Sequence, residues 1–328
     1  MRQLLIAIVL VVSCVSSNWA VQARDLSALD AKVISEDADR FAAIFKASNG
    51  KPTAEALLKG YLEPGTEGVR VFTKGRIKNA EHLAKTIAEN PELYRRGIEV
   101  CLPIAKEMTD VLRSVYLGLN GLLNHPELPK VYAVFGAGNS GGTAGNGSQV
   151  MGLEVVCRIS KTDEDVRRHF RHLFAHETVH TLQKFPSDNE FIYSDYLLLN
   201  ILAEGGADYI AKLVTGTVRQ PKRDAWARQR YEYVRTEFLK DRAKIKHMTP
   251  EEISQKGSPR FRWVRNAKKA PDEGWPGELG YWVGSEIWTG YFEQAEDKEE
   301  ALKDLLYLRN PQEVLEKSGY LQPQTSVH

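Results

Sequence analysis

The run His176-Glu177-Thr178-Val179-His180 places two histidines four residues apart, with a glutamate directly after the first. On an α-helix, residues i and i+4 share one face, so both imidazoles can reach a single metal ion. Zinc accepts histidine nitrogens, and a glutamate beside its open position can take a proton from water. The spacing therefore predicts that His176 and His180 bind zinc and that Glu177 is the general base.

A catalytic zinc site needs a third protein ligand and keeps its fourth position open. Glu204 and Asp208 lie four residues apart, and so on one face of a predicted helix. One carboxylate can bind the metal while the other orients a ligand imidazole. Gly205 and Gly206 lie between these two residues, and glycine in a helix interior lowers the stability of the helix. They indicate close packing, which we expect to involve the facing histidine helix.

The motif must lie on a helix for this chemistry. Thr162 and Asp165 form a capping box, and Pro186 ends the segment. Between these signals, apolar residues recur with helical period at Val166, Phe170, Leu173 and Phe174. These signals predict a helix over roughly residues 163–184.

The remaining pattern predicts an α+β fold that is mainly helical, with a small mixed or antiparallel β-sheet. Helices are predicted over residues 28–48, 80–89, 92–123, 189–214 and 222–246. Strands are predicted over 131–135 and 150–159, separated by a Gly/Asn/Ser-rich loop over 136–148 that resembles a lid or hairpin tip. We expect an extended substrate to pair with the strand before the metal helix.

An HExxH motif followed by a helix that carries ExxxD is similar to the gluzincin metallopeptidases. This resemblance implies a zincin-like catalytic core with Zn2+ bound by His176, His180 and Glu204. It also implies that Glu177 is the base and that Asp208 holds His176. The expected substrate is a peptide or protein.

The chain also resembles bacterial families described as predicted Zn-dependent proteases. The similar segments are 139–143, the HExxH motif, 204–208 and 280–284, together with the stretch 61–94. A GxMEN segment like that of the large aminopeptidases is missing, so the resemblance does not support aminopeptidase specificity. A non-catalytic envelope protein that keeps the fold for binding is the alternative, and hydrolysis of a cell-wall amide would use the same site.

Two more residues are candidates for the site. His172 lies one turn before His176 and could extend the metal site. We favour the interpretation that His172 faces solvent or a residue that contacts the ligands, because Glu204 already completes the ligand set. Tyr281 could donate a hydrogen bond to a developing oxyanion, or it could be a packed core tyrosine.

Residues 1–23 have the features of an export signal, because a short apolar run after Arg2 ends in small residues before the expected cleavage after Ala23. A competing interpretation makes Cys14 the lipid-anchored first residue of a lipoprotein. No other segment is long and apolar enough for a transmembrane helix. Either interpretation predicts an exported protein, periplasmic, secreted or membrane-anchored.

Cleavage after Ala23 would leave Cys101 and Cys157, which could form a disulfide in an exported protein. Their apolar neighbours favour two buried thiols instead. The 328 residues carry 44 Lys+Arg and 43 Asp+Glu, a balance that predicts no general attraction to nucleic acid. The basic segment 219–246 is interpreted as a solvated helix. We expect an N-terminal helical region over 24–128 and a catalytic region over 129–328, or one continuous domain over 24–328.

Overall fold

A computed structural model describes residues 27–124, 126–184, 186, 188–255, 257–264 and 274–322. Its described part is mainly helical with one four-stranded sheet, which confirms the predicted α+β class. The predicted export signal over residues 1–23 and the alternative anchor Cys14 lie outside these residues. Among the described helices, none is both long and apolar enough to cross a membrane.

The described helices follow one another in chain order, with three π-helical turns between them over Leu58–Leu62, Thr73–Ile77 and Gly97–Cys101. They are α1 Glu36–Ala47, α2 Ala54–Leu57, α3 Glu67–Phe72, α4 Ala80–Glu89, α5 Pro91–Arg96, α6 Leu102–Glu107, α7 Thr109–Leu123, α8 Leu153–Ile159, α9 Asp163–Leu182, α10 Asn189–Ser194, α11 Tyr196–Thr215, α12 Pro221–Arg228, α13 Tyr231–Ile245, α14 Pro250–Ser254, α15 Phe261–Val264, α16 Leu279–Gln294, α17 Lys298–Tyr307 and α18 Pro311–Lys317.

The strands are β1 Val33–Ile34, β2 Lys130–Val134, β3 Gly142–Gly145 and β4 Ser148–Gly152. They lie in the order β1-β2-β4-β3, with β1, β2 and β4 parallel and β3 antiparallel to β4. β3 is therefore an edge strand of this sheet. The sheet joins β1 from the N-terminal region to the three later strands, and the division into regions 24–128 and 129–328 stays a prediction.

The predicted strand over 150–159 is wrong from Leu153 onward, because β4 ends at Gly152 and α8 follows directly. Leu153, Val156 and Cys157 are buried at helical spacing, so tertiary packing overrides the β propensity of the valines. The loop predicted over 136–148 contains β3. This strand pairs through its backbone and shows no apolar alternation that sequence reasoning could detect.

Four of the five predicted helices are interrupted in the structure. The one over 28–48 is replaced by a 3-10 turn at Ser27–Asp30, strand β1 and then α1, since Val33 and Ile34 pair with β2. The one over 92–123 is broken by the π-helical turn at Gly97–Cys101 and again near Met108. The one over 189–214 is divided at Asp195 into α10 and α11, and the one over 222–246 is divided at residues 229–230 into α12 and α13.

The metal-motif helix α9 begins and ends close to its predicted bounds. Thr162 Oγ1 accepts a hydrogen bond from the Asp165 amide at 3.1 Å, and Asp165 Oδ2 accepts one from the Thr162 amide at 3.1 Å. This reciprocal capping box satisfies two amides that the first helical turn leaves unpaired. Gln149 of β4 connects the sheet to the C-terminal half of α9. It donates to the Phe174 carbonyl at 3.1 Å and to Thr178 Oγ1 at 2.8 Å.

The close partner of Gly205 is α16, so the expectation that the histidine helix packs there is wrong. A Cβ atom on Gly205 would lie 2.4 Å from Gly284 Cα, and one on Gly284 would lie 1.8 Å from the Ile201 carbonyl oxygen. Gly206 packs against Trp288. Glycines on both helices thus let α11 and α16 approach closely enough to bring Glu204 and Tyr281 to one cleft.

Cys101 and Cys157 form a disulfide, so the prediction of two buried thiols is wrong. Their apolar surroundings are real, but a buried position suits a disulfide as well as a thiol. The bond ties α8 to the π-helical turn at Gly97–Cys101. Glu154, on the same helix, is fully buried and accepts hydrogen bonds from the amides of Gly136 and Gly138, both at 3.0 Å. Together these contacts hold the loop that leads to β3.

Candidate metal centre

Three side chains from α9 and α11 converge at one point. His180 Nε2 lies 3.1 Å from His176 Nε2 and 3.2 Å from Glu204 Oε2, and His176 Nε2 lies 3.4 Å from Glu204 Oε2. The sequence predicted these three residues as the metal ligands. Helix α9 supplies both histidines from one face, and α11 brings in the glutamate from a position 24 residues later.

The spacing of these donor atoms fits a zinc ion. Ligand atoms about 2.0–2.1 Å from a tetrahedral zinc lie about 3.3–3.4 Å from one another. The observed triangle has sides of 3.1, 3.2 and 3.4 Å. Two imidazole nitrogens and one carboxylate oxygen are also a donor set that zinc accepts, with one position left for water or substrate.

The other nitrogen of each histidine ring is held by a neighbouring side chain. His180 Nδ1 lies 2.8 Å from Gln183 Oε1, while Gln183 Nε2 donates to the Ala203 carbonyl at 2.9 Å. This second bond fixes the amide so that its oxygen faces His180. The Nδ1 atom of His180 must then carry the proton, and its Nε2 lone pair points toward the other donors.

Asp208 has the same relationship to His176. Its Oδ1 atom lies 2.8 Å from His176 Nδ1, within hydrogen-bonding distance although the ring nitrogen is not aimed straight at the oxygen. The contact keeps the Nδ1 proton of His176 on the Asp208 side and leaves Nε2 free as a ligand. The sequence predicted this position for Asp208.

His172 shares the Asp208 carboxylate with His176. His172 Nε2 lies 2.9 Å from Asp208 Oδ1, and the His172 side chain is 1% exposed, so it does not face solvent. Arg223 donates to Asp208 Oδ2 at 3.2 Å. His172, His176 and Asp208 are also close enough to share a metal ion, but that group would need His176 Nδ1, which faces Asp208 and carries the proton when Nε2 is the ligand. The arrangement suits His172 as a partner of Asp208, as we expected.

The carboxylates control the charge of the ligand histidines. Burial opposes a charged His176, but the contacts with Asp208 and Glu204 outweigh it and raise the pKa of this imidazole to about 10. Burial likewise opposes a charged His180, yet Glu204 raises its pKa. His172 differs, because burial dominates and lowers its pKa to about 4. The surroundings of His176 and His180, which both face Glu204, therefore favour positive charge.

Glu177 lies between the metal ligands and the edge strand. Its side chain is 7% exposed and packs against Gly142, the first residue of β3. A Cβ atom on Gly142 would lie 2.4 Å from Glu177 Oε1. The glutamate therefore requires a residue without a side chain at this position of the strand.

Tyr281 and Arg219 lie on another side of the candidate metal ligands. The Tyr281 ring stacks on the His176 imidazole with a centroid distance of 5.9 Å, and the Arg219 guanidinium lies 5.4 Å from the Tyr281 ring centre. Arg219 also pairs with Glu278. Burial and the negative charges of Glu204 and Glu278 raise the pKa of Tyr281, so its phenol stays protonated and able to donate. Sequence reasoning missed Arg219 as a site residue.

These residues line one open cleft with a volume of about 1490 Å³. The cleft also includes β3 residues 142–144, the loop before that strand, the exposed half of α9 and residues 219–223. The candidate metal ligands lie along its wall. Every residue predicted for the site lines this cleft, except Asp208, which lies behind His176.

The edge strand β3 therefore lies beside a candidate metal site formed by His176, His180 and Glu204. Residues 121–288, about half of the chain, match a family described as "Putative zinc dependent peptidase (DUF5700)", and the chain belongs to that family. The matched range contains the HExxH motif, Glu204 to Asp208 and Gly280 to Gly284, but not the stretch 61–94. No curated protein and no solved structure matches the chain.

Proposed function

We propose that this protein is a zinc-dependent peptidase in which His176, His180 and Glu204 bind the metal. The observation that carries the proposal is the triangle of donor atoms with sides of 3.1–3.4 Å, with Glu177 next to it. Membership of a family described as zinc dependent supports it. A protein that used this fold for binding alone would have no chemical need for Glu177.

The residues around the triangle have separate tasks. A zinc ion there would lower the pKa of a bound water and polarise the scissile carbonyl. Glu177 accepts the proton of the attacking water and passes it to the leaving nitrogen. Tyr281 donates a hydrogen bond to the oxygen that gains negative charge, and Arg219 above its ring strengthens that donor. Asp208 and Gln183 hold the two imidazoles in the tautomer that leaves Nε2 free.

The edge strand gives the substrate a place to bind. Within the described residues β3 pairs with β4 alone, so the other side of its backbone is available to an extended peptide. Such a peptide would cross the cleft in front of Glu177, since Gly142 begins the strand. This arrangement supports the zincin-like core that the resemblance implies. It favours cleavage within an extended segment.

We further propose that the protein acts outside the cytoplasm. The sequence features of residues 1–23 support export. The disulfide between Cys101 and Cys157 also supports it, since such bonds persist in oxidising compartments.

Metal analysis combined with a Glu177→Gln variant tests the proposed activity. We expect about one zinc per chain in the purified protein, bound by His176, His180 and Glu204. Glu177→Gln should keep that zinc and the melting temperature, while peptide hydrolysis falls by roughly 10²–10⁴-fold. The matched control is Glu164→Gln, in the exposed first turn of the same helix, which should retain full activity.

Two outcomes would contradict the proposal. A wild-type protein that neither contains zinc nor takes it up would eliminate the metal centre. A zinc-loaded wild type that cleaves nothing in a broad peptide library would favour the binding-protein alternative.

A further inference from the structure

The cleft of the metal centre is more basic than the chain as a whole. Its described lining includes eight arginines and lysines against four aspartates and glutamates, whereas the chain carries 44 and 43. Two of the four acids, Glu177 and Glu204, belong to the proposed metal centre. A lining with this balance attracts anionic ligands, because low-dielectric walls focus the field of like charges.

Half of the basic residues in the lining are already neutralised by protein carboxylates. Arg168 pairs with Asp165 at 2.6 Å, Arg219 with Glu278, Arg223 with Asp208, and Arg262 with Glu237 at 2.7 Å. The others make no ion pair with any residue in the described part of the chain. They are Arg76, Arg158, Lys161 and Lys222.

Arg76 and Arg158 both line the cleft, and both are connected to the loop that leads to β3. Arg158 Nη1 donates to the Gly138 carbonyl at 2.9 Å, and Asn139 Nδ2 donates to the Arg76 carbonyl at 2.9 Å. We call this pair of arginines the basic end of the cleft. One bond from Arg158 to a carbonyl leaves its other donors available to a ligand, although its charge also interacts with the buried Glu154 carboxylate.

The basic end lies a few substrate residues from the reacting bond. Gly142 lies against Glu177, and Gly138 is four positions earlier in the chain, so these two glycines are at most about 14 Å apart. An extended peptide advances about 3.3 Å per residue. A substrate group held beside Gly138 would therefore lie up to about four residues from the scissile bond.

The direction of the substrate follows from the edge strand. Antiparallel pairing is the more common arrangement between neighbouring strands. The basic end is next to the N-terminal end of β3, because the loop with Gly138 and Asn139 enters the strand there. A peptide antiparallel to β3 would place its C-terminal part at that end.

We propose that the basic end is a subsite for a carboxylate, carried by the substrate three or four residues beyond the scissile bond on its C-terminal side. This inference rests on the proposed peptidase function and adds a substrate class to it. Two sources have this chemistry, namely an aspartate or glutamate side chain and the free C-terminus of a short peptide. Both would pair with the guanidinium groups of Arg76 and Arg158.

Matched peptides test the subsite. One C-terminally amidated peptide is made with Asp, Asn or Lys at the third or fourth position after the cleaved bond, and a further Asn peptide ends there in a free carboxylate. We expect kcat/KM to be roughly 2- to 30-fold higher for Asp than for Asn, as for one or two partly exposed ion pairs. The preference should shrink as salt rises. The free-carboxylate peptide shows whether a chain terminus is accepted equally well.

Variants identify the residues responsible. The Asp preference should disappear in Arg76→Gln/Arg158→Gln and persist in Arg171→Gln/Arg228→Gln, which removes two arginines that do not line the cleft. Arg158→Lys keeps the charge and should retain most of the preference. A wild type that cleaves the Asp, Asn and Lys peptides equally, or a preference that survives in Arg76→Gln/Arg158→Gln, would overturn the subsite.

A binding measurement separates this inference from the proposed function. Fluorescence anisotropy of labelled peptides with the Glu177→Gln protein reports affinity without turnover. Tighter binding of the Asp peptide that depends on Arg76 and Arg158 supports the subsite even if the wild type cleaves no peptide. Equal binding of all peptides contradicts it even if the peptidase activity is confirmed.

Discussion

The α-carbon of Gly142 packs directly against the Glu177 carboxylate, so that a Cβ atom there would lie 2.4 Å from Oε1. Gly142→Ala should push Glu177 out of place without touching the metal ligands. We expect turnover to fall by about 10²-fold or more, since a misplacement of about 1 Å can cost that much. Zinc content, measured by elemental analysis, should stay at the wild-type level.

Gly141→Ala is the matched control for Gly142. A Cβ atom on Gly141 would make its closest contact at 3.5 Å with Val155, an ordinary van der Waals distance. This neighbouring variant should keep wild-type turnover. If both alanine variants were equally active, Gly142 would have no part in placing Glu177.

Asp208→Asn tests the contact with His176. Asparagine keeps the shape but removes the negative charge from His172, His176 and Arg223, so we expect zinc affinity to fall about 10–100-fold while the protein still folds. Competition with a chromogenic chelator measures this change. Asp224→Asn also removes a partner of Arg223, 2.8 Å away, but not one of His176, and it should leave zinc affinity unchanged. Equal affinities in the two variants would rule out the role of Asp208.

The sequence brought the residues of the candidate metal centre together more accurately than it predicted the elements around them. Capping at Thr162 and the periodic apolar face predicted α9, and the spacing within HExxH and ExxxD led to Glu204 and Asp208. Gln183 was missed because a glutamine just after a helix has no distinctive spacing. Its role depends on the Ala203 carbonyl, which comes near only through tertiary packing.

Strand β3 and the glycine contacts escaped prediction for a related reason. A short Gly-Thr-Ala-Gly strand gains its stability from backbone pairing with β4, so its residue types show no apolar alternation. Gly205 correctly indicated close packing, but a glycine does not reveal which element approaches it. The facing element is α16, which lies more than 70 residues later in the chain.

Gly205→Ala tests whether this helix contact places Glu204. The new methyl group would lie 2.4 Å from Gly284 Cα, so α11 and α16 must separate. We expect a loss of about 1–3 kcal/mol in the free energy of unfolding and weaker zinc binding, measured by denaturant titration and chelator competition. Gly121→Ala in α7 has nothing within 4 Å and should not destabilise the protein. Wild-type stability and zinc affinity in Gly205→Ala would contradict this account.

Zinc uptake should release protons, and the sign follows from the ligand histidines. Burial opposes the charged form, but Asp208 and Glu204 raise the pKa of His176 to about 10, and Glu204 also raises that of His180. Near pH 7.5 the protein stripped of metal therefore holds His176 protonated, and Glu204 shifts the pKa of His180 in the same direction. Zinc needs the lone pairs that such protons occupy. We expect about one to two protons released per zinc, with apparent affinity rising as pH increases toward 10. Calorimetry in buffers of different ionisation enthalpy counts the protons, and His247→Gln, on the exposed surface, should leave the count unchanged. A pH-independent affinity with no proton release would show that these histidines are not the ligands.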